Sequence, residues 1–475
     1  MSRLAVVACL VLSAAACTVE PSRFDAALGV GTAEVRNAEP SATTIAVPQL
    51  ILNPQIRIPQ FSDSSFDPQQ PALDQLDSVP GASVTVFGPE VSGGAESLTF
   101  AFRRFTAATG IEVDYVGAVN SDELVDEMIE AGSAPDVVIT AHPNRLQDLA
   151  GRGDLVPLPR LIRRQLAAGF DPFWSSLVSL NNRTYGVPIS ATVTSLVWYS
   201  PREFEARGYE IPQRLAELEA LVERIKADGL TPWCIGLAAG EKSGWPATDW
   251  IEDYMIRIEG PAFYDSWVNH QVPFNDERVV SVVNRVGDMW FAPGNVYRRN
   301  AINTISFTEA AQNHVDGKCV MHRQRSSIAI TYRADGANLG AGLDLSAFHF
   351  PVVDEGFGNV VVGTGTFASA LSSDRATMTL LAYMAAPDFA NNRILAGSGA
   401  YLSAHQLHNL DLYGTTIDRE MAAILVSANP FRFDGSELMP AQIGSDVFLR
   451  ASVGFAGGTI DAYEFLDEIE ASWPD

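Results

Sequence analysis

The sequence predicts an α/β fold organised as two lobes, with a parallel β-sheet in the first of them. Between residues 82 and 140, buried strand patterns alternate with single amphipathic helices, an order that produces parallel strands. Roughly 395 residues lie beyond residue 80, which is enough chain for two lobes with separate hydrophobic cores. The chain is 47% hydrophobic and 19% charged, as expected of an ordinary globular protein.

The first five elements follow from hydrophobic spacing. In order they are a strand at 82–88, a helix at 96–109, a strand at 111–116, a helix capped by Ser121 and a strand at 135–140. The first helix stops at Gly110. Because ligands of a parallel sheet bind beyond the carboxyl ends of its strands, we expect cleft residues at 88–90 and 141–145.

The N-terminus carries the pattern of a bacterial export signal over residues 1–16. Met1 and Arg3 form a cationic start, Leu4–Leu12 is almost wholly apolar, and the alanines Ala14–Ala16 lead into Cys17. The apolar run is too short to span a membrane. Cys17 stands where bacterial lipoproteins are acylated, although Ala14 replaces the leucine preferred three positions earlier. We therefore expect an exported protein whose mature chain is held to the membrane by lipid on Cys17.

A proline-rich tether is predicted between this anchor and the folded body, over residues 17–81. Eight prolines from Pro21 to Pro80 are interleaved with Ser, Gln, Asn and Asp, and no helical period survives. The stretch PQLILNPQIRIPQF is more apolar than a plain linker. Either the tether is extended throughout, or this stretch lies against the body.

The net charge limits the kinds of partner that the protein can bind, and the cysteine content limits the disulfides that it can form. A net charge of −25 argues against nucleic acid and against electrostatic docking on anionic lipid, because both require clustered Lys and Arg. After removal of Cys9 with the signal and acylation of Cys17, Cys234 and Cys319 remain. In an oxidising compartment two such cysteines commonly pair, and the alternative is two buried thiols.

Several long motifs of the body resemble one family. They are VTVFGPE, TGIEVDY, APDVV, GDLVPL and YGVPISATVTSLVWYSPREFEARGYEIPQ, followed by TPWCIG, GWPATDWIEDY, GPAFYDSW, KCVMHRQ, FRFDGSELMPA and EIEASWP. Together they resemble the sugar-binding proteins of bacterial ABC importers, with the periplasmic-binding-protein type II fold, and specifically the α-glucoside-binding branch.

The resemblance implies two discontinuous lobes joined by hinge strands, with a sugar in the cleft between them. The N-terminal lobe would hold residues 82–190 and 365–410, and the C-terminal lobe 191–364 and 411–475. The implied protein is a monomer that delivers its sugar to ABC permease subunits and needs no cofactor or metal.

Sugar sites combine aromatic platforms with carboxylates, amides and guanidinium groups. The segment EKSGWPATDWIED supplies this mixture: Trp245 precedes Pro246, where a helix can begin, and Asp249 and Asp253 lie one turn apart on one face. By resemblance Trp245 is the expected stacking residue and Asp249 a hydroxyl acceptor, with Trp250 in the core. The alternative is an aromatic-rich amphipathic helix with no ligand role.

Further candidates come from the ends of predicted strands. His322, Arg323 and Gln324 end an apolar strand, and Arg323 suits paired hydroxyls best. The other ligand candidates are Glu90, His142, Asn144, Trp198 and Arg432. Arg432 and Asp434 are also predicted to form an internal ion pair.

One motif departs from the family pattern. At the second hinge crossing, where relatives tend to place a glycine-rich turn and an Asp, this chain has Gly363-Thr364-Gly365-Thr366. Thr364 and Thr366 are therefore candidate ligand residues, and the missing carboxylate leaves the identity of the sugar open. GTGTFA also matches the dinucleotide fingerprint by letters, but it lies deep in the chain and lacks the acidic residue that the fingerprint requires.

Two other classes of protein are alternatives to a sugar-binding protein. An exported glycosidase would need opposed carboxylates, for which Glu90 and Asp249 are the candidates. No G-x-S-x-G, H-E-x-x-H or Cys/His metal spacing is present in the sequence. A scaffold lipoprotein that has lost its ligand is the third class, and only the GTGT departure favours it.

Overall fold

The computed structural model describes residue 76 and residues 78–474, apart from positions 354, 398 and 399. The predicted signal sequence, the acylated Cys17 and nearly all of the tether lie outside the described residues. The predictions made for these segments therefore stay predictions.

Short strands alternate with many helices along the described chain. The strands are β1 (Ser83–Gly88), β2 (Glu112–Gly117), β3 (Val137–Thr140), β4 (Ser179–Leu180), β5 (Arg183–Thr184), β6 (Gly186–Val193), β7 (Leu196–Tyr199), β8 (Met321–Arg323), β9 (Ser346–His349), β10 (Val361–Ala370) and β11 (Phe431–Phe433).

The α-helices are α1 (Gly93–Thr109), α2 (Ser121–Glu130), α3 (Pro143–Arg152), α4 (Arg160–Gly169), α5 (Pro172–Leu177), α6 (Pro201–Arg207), α7 (Leu215–Ala227), α8 (Trp245–Ile258), α9 (Pro261–Val268), α10 (Glu277–Phe291), α11 (Phe307–Val315), α12 (Ala329–Ala334), α13 (Arg375–Met384), α14 (Pro387–Leu395), α15 (Thr416–Val426), α16 (Gly435–Leu438), α17 (Phe448–Gly457) and α18 (Ala462–Ala471). Shorter helical turns are Arg299–Ala301, Ser326–Ile328, Glu355–Phe357, Leu410–Leu412 and Ile443–Val447.

The first sheet has the order β11-β10-β3-β1-β2, with β6 also paired to β10. Its β1 strand pairs in parallel with both β2 and β3, which confirms the predicted parallel arrangement. The sheet as a whole is mixed, because β10 runs antiparallel to both β3 and β6.

The predicted order of the first five elements is confirmed, with small shifts at their ends. The helix α1 ends at Gly110, whose φ of 74° is a left-handed conformation that favours glycine. The prediction that Ser121 caps α2 is wrong: Ser121 is the first helical residue, and Asn120 occupies the capping position. Such one-residue differences are common at helix ends.

Two large apolar cores organise the described chain. The first surrounds the parallel strands and includes the fully buried Val84, Ile139 and Leu380. The second surrounds α8, whose residues 246–257 are all buried, and includes Trp250 and Trp290. A second sheet, in the order β8-β7-β9, lies beside this core. Two cores in one compact body match the predicted two-lobed α/β fold class.

The long antiparallel ribbon of β6 and β10 contains two of the three positions at which the chain was predicted to change lobes, 190/191 and 364/365. Gly363 and Gly365 are required here by close packing, because a Cβ atom on either would lie 2.2 Å from the Thr192 carbonyl oxygen or 2.4 Å from that of Ser190. The GTGT motif is therefore strand, not a nucleotide-binding turn. The predicted lobe boundaries at 190/191, 364/365 and 410/411 stay a prediction.

A small third cluster contains the two body cysteines. Cys234 and Cys319 form a disulfide with a Cα–Cα distance of 5.5 Å, packed against Ile305 and Ala310. The structure thus pairs the cysteines as the redox argument predicts.

Candidate functional site

A row of four hydroxyl groups lies along one face of the β6–β10 ribbon. The Ser190 and Thr366 oxygens are 2.6 Å apart, and the Thr192 and Thr364 oxygens are 2.5 Å apart. All four side chains are half-buried. Each hydroxyl can both donate and accept a hydrogen bond, so the row can bind ligand hydroxyls without adding charge.

The sequence analysis predicted Thr364 and Thr366 but missed Ser190 and Thr192. The register between β6 and β10 pairs Thr364 with Thr192 and Thr366 with Ser190. That register includes a bulge between Thr366 and Phe367, which no single-strand pattern reveals.

The charged residue Arg325 is connected to this row through Asp434. It follows β8 and is only 15% exposed. Its guanidinium donates to both carboxylate oxygens of Asp249, at 3.0 and 2.8 Å, to Asp434 at 2.7 Å and to Glu437 at 3.2 Å. Asp434 in turn connects to the ribbon, because its backbone N–H donates to the carbonyl of Gly363, the residue before Thr364, at 2.9 Å.

Trp245 lies under this guanidinium. The Arg325 guanidinium carbon is 4.6 Å from the centre of the indole ring, and Phe307 packs edge-on against the ring at 5.3 Å. The predicted helix start is confirmed, since α8 begins at Trp245 with Pro246 in its first turn. Trp245 is half-buried, so the residue keeps some surface exposed to the solvent.

Behind Trp245 the acidic face of α8 is sealed inside the protein. Asp249 and Asp253 are 1% and 0% exposed and share the guanidinium of Arg323, as their predicted spacing on one face allows. Asp253 also accepts from Ser195 at 2.5 Å and from Arg257 at 2.7 Å. Burial alone would raise the pKa of the Asp253 carboxyl, but the two arginines and the hydroxyl outweigh it and lower the pKa.

The carboxyl groups around α16 have raised pKa values, in contrast to Asp253. Burial raises the pKa of Asp434 to about 7, against the attraction of Arg325. Burial also raises the pKa of Glu252, together with the nearby charges of Asp434 and Asp249. Glu252 accepts from the backbone N–H groups of Gly435 and Ser436, at 2.6 and 3.0 Å. Burial thus favours the protonated form of both the Asp434 and the Glu252 carboxyl groups.

Two predicted residues at the start of α3, which follows β3 of the first sheet, contact α16 and the residue after it. The His142 Nδ1 atom is 3.8 Å from Glu437, and the Asn144 amide donates to the carbonyl of Met439 at 3.3 Å. Burial lowers the pKa of His142, against the attraction of Asp122. These contacts connect the β3 end of the parallel sheet with α16.

Glu90 lies two residues after β1, as predicted, and forms a buried ion pair. Both Glu90 carboxylate oxygens accept from Arg393, whose guanidinium lies 4.1 Å from the ring centre of Tyr401. Arg393 and Tyr401 also donate to the carbonyl of Ile189, at 3.4 and 3.0 Å. Arg393 thus connects Glu90 to Ile189, the residue before Ser190 of the hydroxyl row.

Four other predicted ligand residues lie inside the protein: Trp198, His322, Arg323 and Gln324. The Trp198 indole donates to the backbone carbonyl of Gln324 at 3.1 Å, and the His322 Nδ1 atom is 2.8 Å from the Tyr332 hydroxyl. All four are at most 4% exposed. We do not retain them as ligand residues, because their side chains are buried, whereas Arg325, two positions after Arg323 and past the strand, is partly exposed.

The predicted ion pair between Arg432 and Asp434 is wrong. Arg432 forms a bidentate pair with Asp265, at 2.6 and 2.8 Å, whereas Asp434 accepts from Arg325 and from the first turn of α16. Arg432 lies in β11, while Asp434 follows the strand and caps α16, so the two side chains have separate partners. Arg432 is therefore not retained as a ligand residue.

The two carboxylates considered for glycoside hydrolysis, Glu90 and Asp249, both form ion pairs with arginines. Asp249 is buried and binds Arg323 and Arg325, and Glu90 binds Arg393. A general acid or nucleophile must reach the glycosidic bond. Asp249 has no solvent-accessible route to one in this conformation.

Comparison with known proteins assigns the chain to a family. The model of the bacterial extracellular solute-binding proteins matches residues 89–312. GgtB of Synechocystis sp., an osmoprotective compounds-binding protein, is 34% identical over 398 residues, which cover 82% of this chain and 92% of GgtB. The chain belongs to the bacterial extracellular solute-binding proteins. AglE of Rhizobium meliloti, an alpha-glucosides-binding periplasmic protein, is 34% identical over 83% of this chain and 87% of AglE.

Solved structures confirm the two-lobed fold of this solute-binding protein. The bacterial solute receptor AcbH matches with a TM-score of 0.68 at 17% identity, covering 82% of this chain and 98% of AcbH. RafE of Streptococcus pneumoniae matches with a TM-score of 0.68 at 16% identity, covering 83% and 98%. None of the helices in the described part of the chain combines the length and apolar character needed to cross a membrane.

Proposed function

We propose that this solute-binding protein captures a neutral α-glucoside and delivers it to the membrane subunits of an ABC importer. The observation that carries the proposal is the half-buried hydroxyl row of Ser190, Thr192, Thr364 and Thr366, which Asp434 and Arg325 connect to Trp245. A pyranose has an apolar face of C–H groups and an edge of hydroxyls, and this arrangement offers a partner to each.

The electrostatics favour a neutral ligand. All the hydrogen-bonding nitrogens of Arg325 already bind carboxylates, so Arg325 holds no free charge for an anionic sugar. The acidic groups Asp249, Asp434 and Glu437 would repel an added carboxylate or phosphate. The likeness to AglE supports an α-glucoside in particular.

The proposed site combines the hydroxyl row with Trp245, Glu437 and His142. Trp245 would stack on the sugar, Glu437 would accept a hydrogen bond from a sugar hydroxyl, and His142 would approach from the start of α3. In the proposed mature protein the chain is a monomer, anchored through lipid on Cys17 and tethered by the proline-rich segment.

A calorimetric panel tests the proposal. Trehalose, sucrose, maltose and longer α-glucans would be titrated into the soluble 78–475 fragment, and each sugar recovered afterwards for product analysis. We expect saturable binding of at least one sugar and every sugar recovered intact. Steady release of glucose would support the glycosidase class instead, and absence of binding across the panel would favour the scaffold class.

A further inference from the structure

The strand β2, at one end of the first sheet, has an uncovered edge. Among the described strands it pairs only with β1. The N–H groups of Glu112 and Ala118 donate to the carbonyl before β1 and to the last carbonyl of β1, at 2.9 Å each. Because alternate residues of a strand bond to the same side, the backbone groups of Val113, Tyr115 and Gly117 point away from β1. Such an edge can accept a further strand.

The two faces of β2 differ in chemistry along this edge. Glu112, Asp114 and Val116 alternate on one face, and all three are exposed. Neither carboxylate forms an ion pair with a residue that the structure describes. Val113 and Tyr115 lie on the other face, where they pack half-buried against the first core. A strand that fits here therefore carries a cation on one face and apolar side chains on the other.

The tether contains one short segment with this pattern. Residues 55–58, Gln-Ile-Arg-Ile, alternate polar and apolar side chains. In a strand, Ile56 and Ile58 share one face and Arg57 lies on the other. Arg57 is also the only Lys or Arg in residues 37–102. A proline flanks the segment on each side, as is tolerated at the ends of an edge strand.

The described chain begins beside the start of this edge. The N–H groups of Val79 and Gly81 donate to the carbonyls of Thr109 and Gly110, at 3.1 and 3.3 Å, and β2 follows directly. Residues 59–77 span up to about 60 Å when extended, whereas the 6 residues of β2 extend about 20 Å. The segment can therefore reach the whole edge, and its covalent connection gives it a high effective concentration there.

We propose that residues 55–58 of the tether add to the free edge of β2 as a further strand. Arg57 then faces the two carboxylates of β2, while the two isoleucines cover the half-buried Val113 and Tyr115. The added strand binds the outward backbone groups and closes the edge against pairing with other chains. This contact is independent of the ligand, so the proposal does not depend on the α-glucoside site.

The test is hydrogen exchange followed by mass spectrometry, on the mature chain with Cys17→Ser, which keeps the tether but cannot be acylated. The peptide that contains β2 reports the amides of the free edge. Ile56→Asp/Ile58→Asp removes the apolar face of the segment, and Arg57→Glu reverses its charge. Arg36→Glu is the matched control, because it makes the same charge change in the tether outside the segment.

We expect the free-edge amides to exchange at least tenfold more slowly in the parent and in Arg36→Glu than in the two segment variants, because a bonded amide exchanges only when the strand opens. Adding Glu112→Arg/Asp114→Arg to Arg57→Glu should restore the slow exchange, since the opposite charges face each other again. Equal exchange in the parent and the segment variants would overturn the proposal, and the two carboxylates would then protect a bare edge. Protection that rises with protein concentration would also overturn it, because a second copy would then cover the edge.

Discussion

The buried carboxylate Asp253 is expected to be a main determinant of stability in the α8 core. It is fully buried and accepts four hydrogen bonds, from Ser195, from Arg257 and twice from Arg323. Asp253→Asn retains one acceptor oxygen but places an amide N–H₂ against charged donors and leaves two buried arginines without a full counter-charge. Each lost charged hydrogen bond is worth about 1.5–3 kcal/mol, and breaking a buried pair costs about 3–5 kcal/mol.

The assay is urea unfolding of the wild type, Asp253→Asn and a control, Asp265→Asn. Asp265 forms a bidentate pair with Arg432 but is 39% exposed, so its change should cost about 1 kcal/mol or less. Because the pKa of Asp253 is lowered in the folded protein, its contribution is present above the unfolded pKa of about 3.9 and is lost as the pH falls through the folded pKa. The gap between wild type and Asp253→Asn should therefore be full at pH 7 and shrink below about pH 4. Equal losses for both variants at pH 7, or a gap independent of pH, would refute this reasoning.

Three further predictions separate ligand contacts from structural ones. Trp245→Ala should weaken binding of the sugar found by the panel about 30- to 150-fold, measured by calorimetry, with little change in melting temperature. Trp250→Ala should instead cost about 3–5 kcal/mol in urea unfolding, because Trp250 is 1% exposed and leaves a cavity; a normal stability for this variant would contradict its place in the core. Peptide mapping without reductant should recover Cys234 and Cys319 as one linked species. Replacing both by serine should lower the free energy of unfolding by on the order of 4 kcal/mol, because the disulfide closes a loop of 85 residues. Labelling of both as free thiols in exported protein would contradict the bridge.

The predicted elements came from local patterns, which is why they were accurate. The apolar spacing of α1, the glycine at position 110 and the Trp245-Pro246 helix start each depend on a few neighbouring residues. The spacing of Asp249 and Asp253 likewise placed both carboxylates on one helix face, where Arg323 binds them.

The remaining features of the site depend on long-range register and burial. Ser190 and Thr192 join the hydroxyl row only because β6 pairs with β10 about 170 residues later in the chain. Arg323 and Arg325 look equivalent in sequence, and both bind Asp249 of α8. Arg323 ends β8 inside the protein, whereas Arg325 lies past the strand with its guanidinium over Trp245. No local pattern distinguishes these two arginines, because their different exposure depends on how the distant helix α8 packs against this segment.

The central claim is that a neutral α-glucoside binds on the hydroxyl row beside Trp245. The most direct measurement is the affinity of the double variant Thr364→Val/Thr366→Val for the best sugar of the panel, compared with wild type and with Thr99→Val. Thr99 is the matched control, because it is exposed on α1 and its hydroxyl bonds only to its own helix. Removing two hydroxyl partners should weaken binding at least tenfold while the control binds normally. Unchanged affinity in a folded double variant would contradict the account.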